Sequence, residues 1–378
     1  MNAGGDQAGG GERSLSPLIR GLSDRGHSVG IITLMEGDAA QAFAADGATV
    51  LANGVPRDLG GARRHSSAAA FIVATARMAP AVASTAMRVR RLAKAWVADI
   101  IHTNGLRAHA LTPFVAVHGR RVVWSLGESP PGGAQQRLVR ESSRYASAVL
   151  APSAFAASVV ARHGPVVYML PSPVELGVVL DRQSARTSLG LPGERCTAGV
   201  IAHLHPTKGH HVAVEAWQHL EPPRPLLVLA GGELYGPESA RYRNDLLRQI
   251  DRLGLQEDVR LVGLVHHMQQ FYAAFDMIIH PALHPEGFGR SMAEAQLAGI
   301  PVIATAIGAA TELITDGHSG LLVPPGDVAS LADAVARIVA SRALSSHLGV
   351  GGRAVADRYD VGRHVSAVEA VYEALASR

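Results

Sequence analysis

Short apolar segments alternate with longer segments of helical periodicity through most of the chain. Apolar runs at residues 29–34 and 226–232 are short enough to predict buried strands. Residues 277–279 and 301–304 are two further runs about 25 residues apart, and a helical segment that ends at Gly299 lies between them. This spacing is typical of one right-handed crossover between parallel strands. The pattern therefore predicts an α/β protein built on parallel sheets.

The length of the chain predicts two domains. It has 378 residues, more than one hydrophobic core usually supports, and 47% of them are hydrophobic, enough for a core in each domain. Pro171 and Pro173 stiffen an extended connector that follows the apolar run at residues 166–170. We therefore place the boundary there, with residues 1–172 in the first domain and residues 173–358 in the second.

Composition argues against several functional classes. An aromatic content of 4% disfavours a surface that stacks nucleic-acid bases, so we expect no nucleic-acid partner. The formal net charge of +3 fits phosphate-bearing ligands or an anionic surface without requiring either. Cys196 is the only cysteine, which excludes an internal disulfide and fits a cytoplasmic protein. The most apolar long stretch, residues 68–87, is interrupted by Arg77 and Pro80, so we expect no membrane span.

The segment from Glu286 to Glu294 carries the clearest chemical signal. Gly287 and Gly289 leave backbone N–H groups uncovered at the start of a helix, whose positive end can hold a diphosphate. Glu294 would lie roughly 7 Å along that helix, while Glu286 stays on the loop before it. Carboxylates accept hydrogen bonds from paired hydroxyls, such as those of a ribose and a sugar ring. The segment therefore predicts a nucleotide-sugar site. Its donor-binding candidates are Gly287, Phe288, Gly289, Arg290 and Glu294.

This segment, with its Glu-x7-Glu spacing, resembles the signature of retaining family-four glycosyltransferases, which have the GT-B fold and a group 1 C-terminal domain. Lys208-Gly209 and residues 301–305, 308–312 and 316–327 also resemble family segments, in the family's order. The resemblance implies two Rossmann-like parallel-sheet domains that face a cleft, with the nucleotide sugar mainly on the second. It also implies that a last helix, within residues 359–378, crosses back to the first domain.

The resemblance implies three catalytic candidates in the second domain. Glu286 would position the donor sugar, and Lys208 would neutralise the leaving diphosphate. His203 stands where relatives usually carry arginine, so it would act as a cation only when protonated, or else through a neutral hydrogen bond. Gly231 and Gly232 follow a predicted strand and would let the nucleotide lie close to the backbone.

The first domain departs from the family pattern at two places. Relatives carry a strand before a segment similar to Gly10-Gly11-Glu12, and no such strand precedes it here. The first strand of this domain is therefore predicted to be missing, through an upstream start or a truncated chain, and Gly10 and Gly11 to form a phosphate-facing turn. Many relatives also have a histidine near residues 125–127 that contacts the donor sugar, where this chain has Ser125. The other cleft candidates of this domain are His102, Asn104 and Glu128.

Four neighbouring histidines raise the possibility of a metal site. They are His203, His205, His210 and His211. Carboxylate partners are absent from their neighbourhood, and the sequence has no Asp-x-Asp element. We therefore expect neither a metal nor a cofactor.

A basic cluster on the predicted helix at residues 68–98 has two interpretations. It consists of Arg88, Arg90, Arg91 and Lys94. A solvated helix face is the commoner meaning of such charges. The other is peripheral contact with anionic lipid at the inner face of a membrane.

The sequence predicts retaining transfer of a hexose-type sugar from a nucleotide sugar to an acceptor hydroxyl, in glycan or glycoconjugate biosynthesis. A catalytically weak nucleotide-sugar-binding subunit is the alternative, because Ser125, His203 and the missing strand all depart from the family pattern. A nicotinamide oxidoreductase would share the parallel sheets, but its Gly-x-Gly-x-x-Gly segment followed by an acidic residue about 20 positions later is not evident.

Overall fold

The computed structural model describes residues 10–34, 37, 39–54, 68–116, 120–127, 133–233, 236–266 and 268–377. The chain forms two compact units. Unit 1 consists of Met1–Pro173 together with Val361–Arg378, and unit 2 of Val174–Asp360.

Strands and helices alternate in both units. The strands are β1 (Gly30–Ile32), β2 (Thr49–Ala52), β3 (Ile100–Asn104), β4 (Arg121–Ser125), β5 (Ala148–Ala151), β6 (Val166–Met169), β7 (Thr197–Ile201), β8 (Leu226–Ala230), β9 (Val259–Gly263), β10 (Met277–His280), β11 (Val302–Thr305) and β12 (Leu321–Val323). The helices are α1 (Gly10–Asp24), α2 (Ala39–Ala45), α3 (Ala68–Ala95), α4 (Leu106–His109), α5 (Thr112–Val115), α6 (Gly133–Ser143), α7 (Ala154–Ala157), α8 (Arg182–Ser188), α9 (His210–Gln218), α10 (Pro237–Leu253), α11 (Arg290–Ala298), α12 (Ala310–Leu313), α13 (Val328–Ala340), α14 (Arg342–Ala354) and α15 (Val361–Ala376).

Unit 1 contains a four-stranded parallel sheet in the order β3-β4-β5-β6 and a separate parallel pair, β1 and β2. Within the described ranges, no ladder joins the pair to the larger sheet. The register places Asn104 opposite Ser125, so β3 and β4 end side by side. Polar side chains at these two ends therefore share one edge of the sheet.

The last helix of the chain packs within unit 1, on the first helix and the four-stranded sheet. Leu18 of α1 and Val365 and Val368 of α15 belong to one buried cluster with Val123 and Leu150 of the sheet. Burying such branched side chains stabilises each of them by about 1.5–3 kcal/mol relative to exposure. The cluster fixes α15 beside strands β4 and β5.

Unit 2 contains a six-stranded parallel sheet in the order β12-β11-β10-β7-β8-β9. Alternate residues of β8 enter the cores on its two faces: Leu227 and Leu229 join one buried cluster, and Leu226 and Val228 join the other. Burial on both faces explains why this strand is apolar throughout. The central neighbours β7, β10 and β11 carry their following loops to one edge of the sheet.

Of the helices in the described ranges, none combines the length and apolar character needed to cross a membrane.

Candidate functional site

The loops after β7 and β10 are locked together at Gly209. A Cβ atom at this position would lie 1.8 Å from the carbonyl oxygen of Pro281, and the φ angle of Gly209 is +69°. Leu283 N donates to Thr207 O at 2.8 Å, a second tie between the two loops. Glycine is therefore required for this approach, which brings Lys208 beside the loop that carries Glu286.

Replacing Gly209 by alanine is expected to destabilise unit 2 by about 2–4 kcal/mol, because the new methyl group overlaps a carbonyl and left-handed backbone is unfavourable for alanine. Urea denaturation of the variant measures this loss. Gly190→Ala is the matched control: its φ is +64°, but nothing lies within 4 Å of the added Cβ. The control should lose only about 1 kcal/mol. Equal losses in the two variants would show that the close approach to Pro281 does not matter.

A carboxylate, an ammonium group and an imidazole meet at the end of β10. Lys208 Nζ lies 2.6 Å from Glu286 Oε1, with the two side chains 19% and 21% exposed. His280 Nε2 lies 3.4 Å from the same oxygen, and Ser291 Oγ lies 3.3 Å from His280 Nδ1. Burial alone would raise the pKa of Glu286, but attraction to His280 and Lys208 and hydrogen bonds from both hold that pKa well below its usual range. Glu286 is therefore ionised at neutral pH.

The loop after β11 fixes the backbone of Glu286. Ala309 N donates to Glu286 O at 3.0 Å. A Cβ atom on Gly308 would lie 2.7 Å from Glu286 N, and the φ angle of Gly308 is +59°. Three loops, after β7, β10 and β11, thus determine where this carboxylate lies.

Helix α11 begins directly after the glycine-rich segment. Gly289 precedes its first residue in the left-handed conformation, with φ +80°, and its Cβ would lie 2.1 Å from Met292 Cε. Phe288 turns its ring into the core, edge-on to Tyr359 at 5.8 Å, so it can offer a ligand only its backbone. The positive end of α11 therefore points toward the region of Glu286, an arrangement suited to an anionic group.

Glu294 is buried and already paired within unit 2. Its exposed fraction is 3%. Tyr272 donates its hydroxyl to Oε2 at 2.7 Å, and Arg290 donates Nε to Oε1 at 2.8 Å. Arg290 therefore pairs with Glu294 in this structure. A ribose would have to donate to the remaining lone pairs of the carboxylate.

The end of β8 packs against the loop that carries His203. A Cβ atom on Gly231 would lie 1.8 Å from Ala202 O, and Leu204 N donates to Gly232 O at 3.0 Å. Gly231 thus has a packing reason to be glycine, whereas the contact of Gly232 uses only its backbone carbonyl. Their proposed closeness to a nucleotide stays a prediction.

His203 is not a cation at neutral pH. Burial, with repulsion from Lys208 next, lowers its pKa to about 3. The charged form that would substitute for the arginine of relatives is therefore disfavoured in this structure, since burial and a neighbouring ammonium group both oppose protonation of the imidazole. The neutral hydrogen-bonding role is the one that fits. In the part of the chain that the structure describes, no group of three or more histidine, cysteine or acidic side chains is placed to hold a metal ion.

Of the candidates in unit 1, His102 contacts the side chain of Ser125, the last residue of β4. His102 Nε2 lies 2.7 Å from Ser125 Oγ, and His102 Nδ1 contacts the hydroxyl of Tyr372 in α15. His109 Nε2 lies 3.2 Å from the carbonyl oxygen of Ser125, and its ring stacks on Trp124 at 4.4 Å. Burial lowers the pKa of His102 and of His109 to about 3, so both rings are neutral. Two histidines from elsewhere in unit 1 thus contact Ser125.

Two predictions for the first domain stay untested. Gly10 and Gly11 are the first two residues of α1 rather than a turn before it, and their proposed closeness to a phosphate stays a prediction. Glu128 lies outside the described residues.

Sequence reasoning missed His280, Tyr272 and Tyr372. His280 ends an apolar strand and Tyr272 lies in a 3-10 turn over Met268–Ala274, so neither position suggests a contact with Glu286 or Glu294. Tyr372 lies 270 residues from His102. Only the polar residue ending the β10 run, His280, was a usable signal, since strand ends in parallel sheets face ligand sites.

The chain has two α/β units, each built on parallel strands, and a helix start suited to an anion lies beside paired charges. These features are typical of the GT-B class of fold. Anabaena Alr3699/HepE in complex with UDP and glucose is similar, with a TM-score of 0.81 at 23% identity over 99% of each chain. Sucrose-phosphate synthase from Thermosynechococcus elongatus gives 0.81 at 19% identity over 99% of this chain and 96% of that chain. The family model for "Glycosyl transferases group 1" matches residues 181–355, and the model for "Glycosyltransferase Family 4" matches residues 8–177. The chain belongs to this group 1, family-four glycosyltransferase family.

Two curated relatives are similar over part of their length. The lipopolysaccharide core biosynthesis mannosyltransferase LpsB of Rhizobium meliloti is 29% identical over 52% of this chain and 56% of that protein. The D-inositol 3-phosphate glycosyltransferase of Stackebrandtia nassauensis is 31% identical over 47% of this chain and 42% of that protein. The matched region thus spans about half the length of each relative.

Proposed function

We propose that this protein transfers a hexose-type sugar from a nucleotide-sugar donor to an acceptor hydroxyl, with retention of the anomeric configuration. The observation that carries the proposal is the Lys208–Glu286 pair, 2.6 Å apart, beside the N-terminal end of α11. The pair supplies a cation for a diphosphate and a carboxylate for sugar hydroxyls within one site.

The donor lies on unit 2 in this proposal. Backbone groups around Gly287 and Gly289 hold the diphosphate with Lys208, Glu286 accepts from the sugar, and Glu294 accepts from the ribose. The named activities of the two curated relatives and the UDP and glucose bound to the Anabaena protein support a nucleotide-linked hexose. Glu294→Gln should weaken binding of the nucleoside diphosphate by about tenfold, the loss expected for about 1.4 kcal/mol. Unchanged affinity in calorimetry would contradict the ribose role.

The transfer step exchanges one bond at the anomeric carbon. The bond from that carbon to the diphosphate oxygen breaks, the acceptor oxygen bonds to the same face, and the acceptor proton passes to a donor phosphate oxygen. Lys208 and the positive end of α11 meet the charge that develops on the leaving diphosphate. The step as written therefore needs no metal. NMR of the product tests retention, since an inverted anomeric carbon would contradict the proposal, and loss of transfer on adding a chelator would contradict a metal-free step.

A panel of nucleotide sugars tests the proposed activity. The purified protein is incubated with each donor in water, and release of free nucleotide is measured. Slow release from one donor, abolished in Glu286→Ala, is the expected result. The residues of unit 1 are not altered in this comparison, so loss of release reports on the donor site.

A catalytically weak donor-binding subunit is the second candidate. Two features favour it. By the family resemblance, Ser125 lies where many relatives have a donor-contacting histidine nearby, and His203 is neutral where relatives usually have arginine. Binding of a nucleotide sugar with no turnover, even in the presence of acceptors extracted from the host, is the result that would select this candidate over the transferase.

The basic cluster of α3 is proposed as a contact with anionic lipid. Arg88, Arg91 and Lys94 are exposed, while Val89 and Ala93 on the same helix are buried in unit 1. Three such charges contribute about 3 kcal/mol at an anionic surface. The triple change to glutamine should abolish sedimentation with vesicles that contain phosphatidylserine. Equal sedimentation of both proteins would contradict the contact.

A further inference from the structure

One oxygen of Glu286 has two partners at different distances. Lys208 Nζ lies 2.6 Å from Oε1, while His280 Nε2 is 3.4 Å from it, at the long end of hydrogen-bonding distance. Within the described residues, the hydrogen bond and both ion pairs of Glu286 involve Oε1 and not Oε2. Lys208 is therefore the closer partner of this carboxylate in the structure.

His280 is held in place from behind. The residue is 6% exposed, and Ser291 Oγ lies 3.3 Å from its Nδ1. When Ser291 donates to Nδ1, the ring keeps its proton on Nε2, the nitrogen that faces Glu286. Ser291 lies in the first turn of α11, so this contact links the imidazole to the helix start.

A diphosphate competes with Glu286 for Lys208. The proposed donor brings at least two negative charges, and a single ammonium group cannot keep a contact of 2.6 Å with the carboxylate while it binds phosphate oxygens at full strength. If Lys208 moves toward the phosphates, Oε1 loses its closest partner. His280 is then the neighbouring donor that the structure places within reach.

We propose that His280 is a positioning residue for Glu286: it takes over Oε1 when the diphosphate draws Lys208 away, and so keeps the carboxylate oriented toward the sugar. The role rests on the proposed function of this site. Hydrogen bonds that are long in an unliganded site often tighten when the ligand binds, which is the behaviour expected of the His280 contact. His280 itself touches neither phosphate nor sugar.

The first test separates the phosphate contacts from the sugar contacts. Pyrophosphate, UDP and UDP-glucose are titrated by calorimetry, with the best nucleotide from the panel replacing UDP where it differs. Glu286→Gln should bind pyrophosphate about three- to tenfold more tightly than wild type, because Lys208 no longer has to leave a charged partner. Unchanged or weaker pyrophosphate binding would overturn the exchange of partners.

The second test isolates His280. For His280→Leu, the affinity for pyrophosphate should stay within about twofold of wild type. The sugar-dependent gain, which is the ratio of the affinities for UDP-glucose and UDP, should fall about five- to twentyfold. His280→Gln, which restores a donor near the position of Nε2, should recover part of that gain. A packing role predicts the reverse order, since leucine fills an apolar site better than glutamine.

Two further variants complete the comparison. Ser291→Ala should weaken the sugar-dependent gain in the same direction as His280→Leu, and it tests the role even where His280→Leu does not fold. His284→Leu, an exposed histidine of the same loop, should change neither affinity. Equal behaviour of the His280 and His284 variants would overturn the inference. Absence of any pyrophosphate or nucleotide binding by the wild type would instead overturn the proposed function and, with it, this role.

Discussion

Glu286→Ala is expected to lower the rate of sugar transfer by about 10²- to 10³-fold, the loss typical of removing one preorganised group that stabilises a transition state. The carboxylate is ionised, held by three loops and partnered on only one oxygen within the described residues, so its other oxygen is suited to a sugar hydroxyl. The alanine variant also frees Lys208 for the diphosphate. The loss should therefore fall on kcat, with little rise in KM for the donor.

Glu215→Ala is the matched control for this prediction. Glu215 is an exposed carboxylate on α9 of the same unit, outside the contacts of Lys208 and Glu286. Steady-state kinetics should show the control within about twofold of wild type, since surface substitutions rarely exceed ±0.5 kcal/mol. Similar rates for the two variants, or a loss in Glu286→Ala that falls wholly on KM, would remove Glu286 from the transition state.

Acidification from pH 7.5 to pH 5 is expected to destabilise unit 1 by about 6 kcal/mol, through three buried histidines that each contribute about 2 kcal/mol. Burial is the largest cause that lowers the pKa of His102 and His109 to about 3 and that of His364 to about 4. In the unfolded chain, each titrates near 6.5. Between the folded and unfolded pKa values, the unfolded chain binds more protons than the folded chain. The contribution of these histidines to the free energy of unfolding is therefore fully present above about pH 6.5 and falls as the pH decreases.

Urea denaturation across this pH range measures the effect. In His364→Gln, the amide can still donate to Pro171 O, which accepts from His364 at 2.9 Å, but the site no longer titrates. This variant should lose about 2 kcal/mol less than wild type between pH 7.5 and pH 5. Glu286 does not contribute to this change, because a carboxylate with a lowered pKa loses its stabilising effect only below about pH 4.5. A stability that does not change between pH 7.5 and pH 5 would contradict the neutral buried histidines.

The sequence was most informative where local chemistry decides the structure. Gly299 follows α11 in the left-handed conformation with φ +72°, where the sequence predicts the helix to end, and Asp327 caps α13 by accepting from Ser330 N. Apolar runs predicted the parallel strands because burial on both faces of a sheet leaves a local pattern. Each of these features depends on residues within one turn or one strand.

Contacts between distant parts of the chain were not predictable in the same way. Lys208 and Glu286 are 78 residues apart, and only the family resemblance suggested that they act together. The position of His280 at a strand end was a signal, but its contact with Glu286 and the pairing of Glu294 with Tyr272 were not predictable, because both arise from how loops and helices pack. The neutral state of His203 likewise depends on burial, which a motif does not reveal.

The central claim is that Lys208 and Glu286 form part of one donor-binding site on unit 2. Calorimetric titration of the nucleoside diphosphate selected in the donor panel, into wild type and Lys208→Met, tests it most directly. The account predicts one molecule bound per chain and an affinity at least about tenfold lower in the variant, since a charged hydrogen bond to phosphate is lost. Equal affinity in the two proteins would contradict the claim.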